Sequence, residues 1–345
     1  MYKRNLVLGI CAVLAATVAG CGNVKERVQT EGLKEESRDI FAMDTYMTVT
    51  AYGSEAAKAV EMAEEEIKRL DGLLSTGDTG SEVYRINKDK VGTMSADTKC
   101  LIERALELYD STGGVFDIAV YPVMEAWGFT DQNYKVPSPE VIEELLDHVD
   151  ASGIEFDEEN SRISLEEGMQ IDLGGIAKGY TSARIMDIFR ECGIASGLVN
   201  LGGNVQVIGS KPDGSLWRVA VKDPEDPGGY VGILSVKDRA VITSGAYERY
   251  FEQDGTVYHH IIDPHTGYPA DSGLVSVTIV SADGTLADGL STSLFIMGLD
   301  RAGEYWREHK DEFEAVLMTE KGELYVTEGL KDSFTSDYEV RVIEE

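Results

Sequence analysis

Positive charge is scarce in this 345-residue chain: 31 lysines and arginines stand against 62 aspartates and glutamates, a formal charge of −31. So acidic a surface repels a phosphate backbone, which excludes nucleic acid as the expected partner. An anionic small molecule would need local help from a cation or from backbone amides. Cysteine is scarce too, with four in all. No CxxC and no histidine–cysteine cluster occurs, which removes the usual zinc signatures. No apolar run reaches the roughly 20 residues of a spanning helix. The dinucleotide fingerprint, the Walker phosphate loop and short-period repeats are all missing.

What is present begins with an address. Lys3 and Arg4 precede an apolar stretch from Leu6 to Val18 that closes on Ala19 and Gly20, the layout of a signal peptide. The stretch "VAGC" resembles the lipobox of bacterial lipoproteins, in which the cysteine, here Cys21, is acylated and becomes the first mature residue. An ordinary cleaved signal with an incidental cysteine is the alternative. Loss of Lys3 and Arg4 takes the charge from −31 to −33. Residues 22–38 are polar without apolar periodicity and read as a tether. The expected organisation is a signal peptide over 1–20, acylated Cys21 and tether over 21–38, and one folded unit over 39–345. The mature chain is expected on the extracytoplasmic face of the cell membrane, held by lipid. Cys100 and Cys192 remain, and their pairing is open from sequence.

The folded part reads as mixed. "YMTVTAYG" alternates as a strand, and "SEAAKAVEMAEEEIKRLDGLL" carries helical spacing with Ser54 as candidate N-cap. "ADTKCLIERALELYDST" predicts a helix ending at Gly113, and "PSPEVIEELLDHV" another. Beyond residue 190, strand signals follow one another with Gly or Asp turns and few helices between them, which favours antiparallel pairing. The expected class is α+β with a largely antiparallel β core and packed helices.

Three segments carry chemistry. "RISLEEGMQIDLGG" reads as strand, turn and strand, followed by a helix over "AKGYTSARIMDIFREC". Gly174 and Gly175 would mark the junction, where amide N–H groups and the helix dipole favour an anion, with Lys178 one turn in and Asp172 just before. Tight packing alone also explains such a glycine pair. In "GTLADGLSTSLFIMG", Asp288 and Thr292 lie one turn apart on one face and offer hard oxygen ligands to Mg²⁺ or Ca²⁺. A polar helix face with Thr292 bonded to backbone fits the same pattern. The stretch "TVYHHIIDPHTGYPA" holds three of the five histidines. Strand alternation points His259 and His260 to opposite faces, so one of them at most serves a given site as general base.

Taken together, "FAMDTYMTV", "GGVFDIAVYPVMEAWGF", "IDLGGIAKGY", "LVNLGGNVQV", "TSGAYERYF", "YHHIIDPHTGYPA" and "LADGLSTSLFIMG" resemble, in order, the motifs of the ApbE family of FAD:protein FMN transferases. The resemblance implies FAD contacts at Met43, Val115, Phe116, Asp117, Asp172, Lys178 and Ile262. It implies Mg²⁺ ligation by Gly175, Asp288 and Thr292, with support from Ser291, and His260 as the general base. Only a backbone carbonyl could ligate at Gly175. Two departures stand out: Gly77 occupies the place of a flavin-contacting tyrosine, for which Tyr84 is a candidate substitute, and Asp44 replaces a usual glycine. The implied reaction is Mg²⁺-dependent cleavage of FAD, with FMN passing to a threonine hydroxyl of an acceptor flavoprotein, such as a subunit of a membrane redox complex, and AMP leaving. The alternatives are an Mg²⁺-dependent FAD pyrophosphatase and a flavin-binding lipoprotein without catalysis.

Overall fold

The computed structural model describes residues 33–226 and 228–345. The signal peptide, Cys21 and the tether as far as residue 32 lie outside the described residues. The backbone is organised around one nine-stranded sheet. Its strands are β1 (Glu35–Ala42), β2 (Thr45–Tyr52), β3 (Ser196–Leu201), β4 (Asn204–Gly209), β5 (Ala240–Gly245), β6 (Leu274–Ser281), β7 (Phe313–Thr319), β8 (Leu324–Thr327) and β9 (Val340–Ile343). Each strand lies beside the next in chain order. All these pairings are antiparallel except β8 with β9. The expected α+β class with a mostly antiparallel core holds.

Residues that the sequence assigned to the tether belong to the sheet. β1 begins at Glu35, inside the tether expected through residue 38, and pairs with β2 from Glu35↔Tyr52 to Ala42↔Thr45. Its polar composition hid it, because only Ile40 and Ala42 are buried in an edge strand whose other residues face solvent or lie half-covered. Backbone pairing, not apolar content, holds that end.

Seven helices, among the described residues, interrupt the strands: α1 (Ala56–Leu74), α2 (Glu82–Asp89), α3 (Ala96–Thr112), α4 (Tyr121–Trp127), α5 (Pro139–Leu146), α6 (Gly174–Glu191) and α7 (Gly284–His309). The first six fall between β2 and β3, and α7 between β6 and β7. Strand alternation then builds two cores. Ile242, Val277 and Ile279 turn to the helical face, where they join Leu101 of α3, Ile176 of α6 and Leu290 of α7. Val241, Val280 and Val316 turn to the other face, against Trp217, Val219 and Leu234 of a small sheet. α1 and α6 cover β1 to β3 through Val60, Ile67 and Phe189. Neither Cys100 nor Cys192 is in a disulfide. No helix among the described residues is long and apolar enough to cross a membrane.

Several local expectations change. α1 starts at Ala56 behind Glu55, and no side chain, Ser54 included, caps it. Only the first strand of "RISLEEGMQIDLGG" forms, at Arg162–Ser164. The second half stays irregular because the Asn87 side chain takes both backbone groups of Ile171, at 2.8 and 2.7 Å, in place of a ladder partner. Gly174 and Gly175 form the first turn of α6 itself.

A candidate active site at the crossing of α6 and α7

Five segments converge on a cleft of about 530 Å³. Asp172, Gly175 and Lys178 enter from the start of α6, and Asp288 and Thr292 from α7. Val115, Phe116 and Asp117 follow α3, Met43 comes from the β1–β2 turn, and His260 and Ile262 follow the hairpin Tyr250–Gln253/Thr256–His259. All the site residues read from the sequence thus share one wall system, Cys21 and the flanking Ser291 apart.

The centre is made by close approach. Gly179 of α6 faces α7 so tightly that a Cβ there would lie 2.6 Å from the Asp288 Cβ and overlap the Gly284 carbonyl. At this crossing the Gly179 N–H donates to Asp288 Oδ2 at 2.7 Å. A regular helix directs that N–H to the carbonyl four residues earlier, which is Gly175. Asp288 Oδ1 accepts from Asn204 Nδ2 at 2.8 Å. The carboxyl is buried, which pushes its pKa upward against the Lys178 charge and these hydrogen bonds. Thr292 Oγ1 lies 3.2 Å from Ser244 Oγ. Ser244 Oγ is also 2.7 Å from Ser291 Oγ, and Ser291 donates to the Asp288 carbonyl at 2.8 Å. Ser291 is fully buried beside the cleft and does not line it.

At the start of α6, Asp172 Oδ1 accepts from the Gly174 N–H at 2.9 Å. Burial raises its pKa, opposed by that bond and by the charges of Lys178 and Arg249. A Cβ on Gly175 would press on the Phe116 ring at 3.1 Å. Asp117 accepts from the Ala119 and Ala151 N–H groups at 2.7 and 3.2 Å, and burial lifts its pKa to about 6.

The two histidines separate as expected. His259 closes its strand with its ring edge-on to Phe295 at 5.5 Å, and its Nε2 lies 3.2 Å from the Ala270 carbonyl. His260 lines the cleft. Its backbone N–H donates to the Arg249 carbonyl at 3.0 Å, and Nδ1 lies 3.2 Å from the same oxygen. His260 keeps part of its surface at the cleft wall, yet crowding by protein and then the Arg249 charge depress its pKa to about 3. The imidazole is neutral at neutral pH, as a proton acceptor must be.

Both departures from the family pattern acquire physical form. Met43 and Asp44 have φ of 47° and 57°, the left-handed pair that a two-residue hairpin requires. Glycine suits that turn best, and aspartate tolerates it. The Met43 N–H donates to Asp71 Oδ1 at 3.0 Å, which ties the turn to α1. Tyr84 does not line the cleft and so does not replace the missing tyrosine; its helix points elsewhere, with Val83 and Ile86 in the core. Thr76 lines the cleft beside Gly77, and Phe129 adds an aromatic wall. Sequence reasoning singled out neither Asn204, Ser244 nor Arg249, although all three stand in "LVNLGGNVQV" and "TSGAYERYF". A polar side chain aimed at another side chain leaves no spacing signal.

Fold and cleft define a class: an α+β domain whose polar site is assembled where a glycine-rich helix start meets a carboxylate-bearing helix. The ApbE family model matches residues 43–317. The FAD:protein FMN transferase of Treponema pallidum is 32% identical over 328 residues, covering 89% of this chain and 90% of that one. Its namesake in Klebsiella pneumoniae is 34% identical over 267 residues, 76% of this chain and 82% of the relative. The crystal structure of the Thermotoga maritima ApbE protein superposes with a TM-score of 0.82 at 36% identity, covering 87% of this chain and 99% of that one. The chain belongs to the ApbE family.

Proposed function

We propose that the protein is a lipid-anchored FAD:protein FMN transferase. The observation that carries the reading is the Gly179 N–H of α6 donating at 2.7 Å to the buried Asp288 carboxyl of α7. Gly175, one turn earlier on α6, lines the same cleft, where the buried carboxylate lacks a cationic hydrogen-bond partner. One carboxylate, one hydroxyl and one carbonyl form an all-oxygen set suited to Mg²⁺, with the remaining positions left to water and phosphate. Asp288, Thr292 and Gly175 would hold the ion, which when bound supplies neutralisation of diphosphate charge.

The residues of the chain do the rest. Lys178, one turn into α6, adds positive charge beside the helix start. Nδ1 of His260 is engaged at the Arg249 carbonyl, so Nε2 is the atom that takes the proton from the attacking threonine hydroxyl. The hydroxyl oxygen bonds to the FMN phosphorus, the bond to the AMP phosphate breaks, and AMP departs. Acceptors would be extracytoplasmic flavoproteins, and acylation of Cys21 would keep the enzyme at the membrane beside them.

Purified protein mixed with FAD, Mg²⁺ and a threonine-bearing acceptor should give a fluorescent acceptor and AMP. Free FMN with AMP and no labelled acceptor would favour the pyrophosphatase, and unchanged FAD would favour a carrier. Replacement His260→Ala should slow transfer by about 10²- to 10⁴-fold while FAD binding persists.

A further inference from the structure

We propose that Arg249 is the residue that grips the diphosphate of the nucleotide in the cleft, as the partner of Lys178. The inference rests on the transferase reading above and adds a residue to it. Six acidic side chains line the cleft, Asp44, Asp71, Asp117, Asp172, Glu248 and Asp288, against two cations, Lys178 and Arg249. A diphosphate entering such a site needs every cation there uncommitted. Arg249 makes no ion pair among the described residues, although Glu248 is its chain neighbour. Its one side-chain hydrogen bond is a long one, from Nη1 to the Phe129 carbonyl at 3.4 Å.

Its placement is fixed by the base. The Arg249 carbonyl receives both the backbone N–H and the ring Nδ1 of His260, just past the last hairpin pair Tyr250↔His259. The stem of the guanidinium and the imidazole are therefore held together across the hairpin. The charges of Arg249 and Lys178 both reach Asp172 and His260, so the two cations bracket one region of the cleft. A planar guanidinium meets two phosphate oxygens at once, which a lysine does not. Arg249 thus orients the diphosphate relative to Nε2 of His260.

The test compares ligands with and without a diphosphate, by titration without added metal. Arg249→Gln should bind FAD and ADP about 10- to 100-fold more weakly than the wild type, with riboflavin binding unchanged. Arg249→Lys should recover part of the loss, and both variants should melt like the wild type, since the side chain is exposed. Unchanged FAD affinity in Arg249→Gln would overturn the assignment, as would an equal loss for riboflavin, which marks a structural role. Failure of the wild type itself to bind FAD even when Mg²⁺ is added would instead overturn the transferase reading.

Discussion

Asp288 concentrates the electrostatic problem of this protein in one side chain. Its burial opposes ionisation, and the Gly179 N–H and Asn204 Nδ2 offset that cost with two hydrogen bonds. A divalent ion would offset it further. Replacement Asp288→Ala should abolish FMN transfer and FAD hydrolysis alike, and full activity in that variant would refute the metal assignment. Asn204→Ala removes the donor that orients Oδ1 and should raise the Mg²⁺ concentration for half-maximal activity by about 10- to 100-fold. Asp117 makes a pH prediction whose sign follows from a raised carboxyl. Its pKa is about 6 in the fold against an unfolded value of about 3.9, so its contribution is most favourable below pH 4 and is lost as pH rises through 6. Relative to Asp117→Asn, the wild type should lose about 2 kcal/mol between pH 4 and 6, the slope staying below about 1.4 kcal/mol per unit. Denaturant titrations of both proteins at the two pH values check this. No change in their difference would mean that Asp117 titrates normally.

Elements were legible where a local pattern and a local stop coincided. α3 runs from Ala96 to Thr112 as its periodicity predicts, because Ser95 caps its start and Gly113 takes the left-handed turn at its end. α7 continues to His309, beyond the segment "GTLADGLSTSLFIMG" and past Gly298, where a φ of 77° breaks the helix without ending it. Tertiary contact overrides the local stop there, since Ala302, Tyr305 and Trp306 beyond the break join the main core. The irregular run before α6 was illegible for the opposite reason: its backbone partner is the side chain of Asn87, far away in sequence. The α6–α7 crossing supplies the prediction at this scale. Gly179→Ala should overpack it and cost about 1–3 kcal/mol. The measurable outcomes are a lower melting temperature and a weaker response to Mg²⁺, because the added methyl would push Asp288 off the Gly179 N–H.

For the whole molecule, a site shared by α6, α7 and the hairpin turns makes ligand binding a global stabiliser. Binding that favours only the folded state adds about 2.7 kcal/mol at 100 times the dissociation constant. FAD with Mg²⁺ should therefore raise the melting temperature of the wild type more than that of Asp288→Ala, and only the wild type should respond to the added Mg²⁺. The proposed lipid anchor is tested at this scale too: if Cys21 is acylated, Cys21→Ser should move the protein from the membrane to the soluble fraction with its transfer activity intact. By itself the sequence determined the α+β class, the helices with local caps and the chemical types at the site, because those depend on periodicity and on motifs written in short stretches. Only the tertiary structure decided that "IDLGGIAKGY" and "LADGLSTSLFIMG" meet at Gly179. It also decided that Asn204 and Ser244 hold the Asp288 carboxyl and the Thr292 hydroxyl, and that polar residues from Glu35 join the sheet. These outcomes rest on hydrogen bonds and close approaches between residues remote in sequence, for which no local pattern exists.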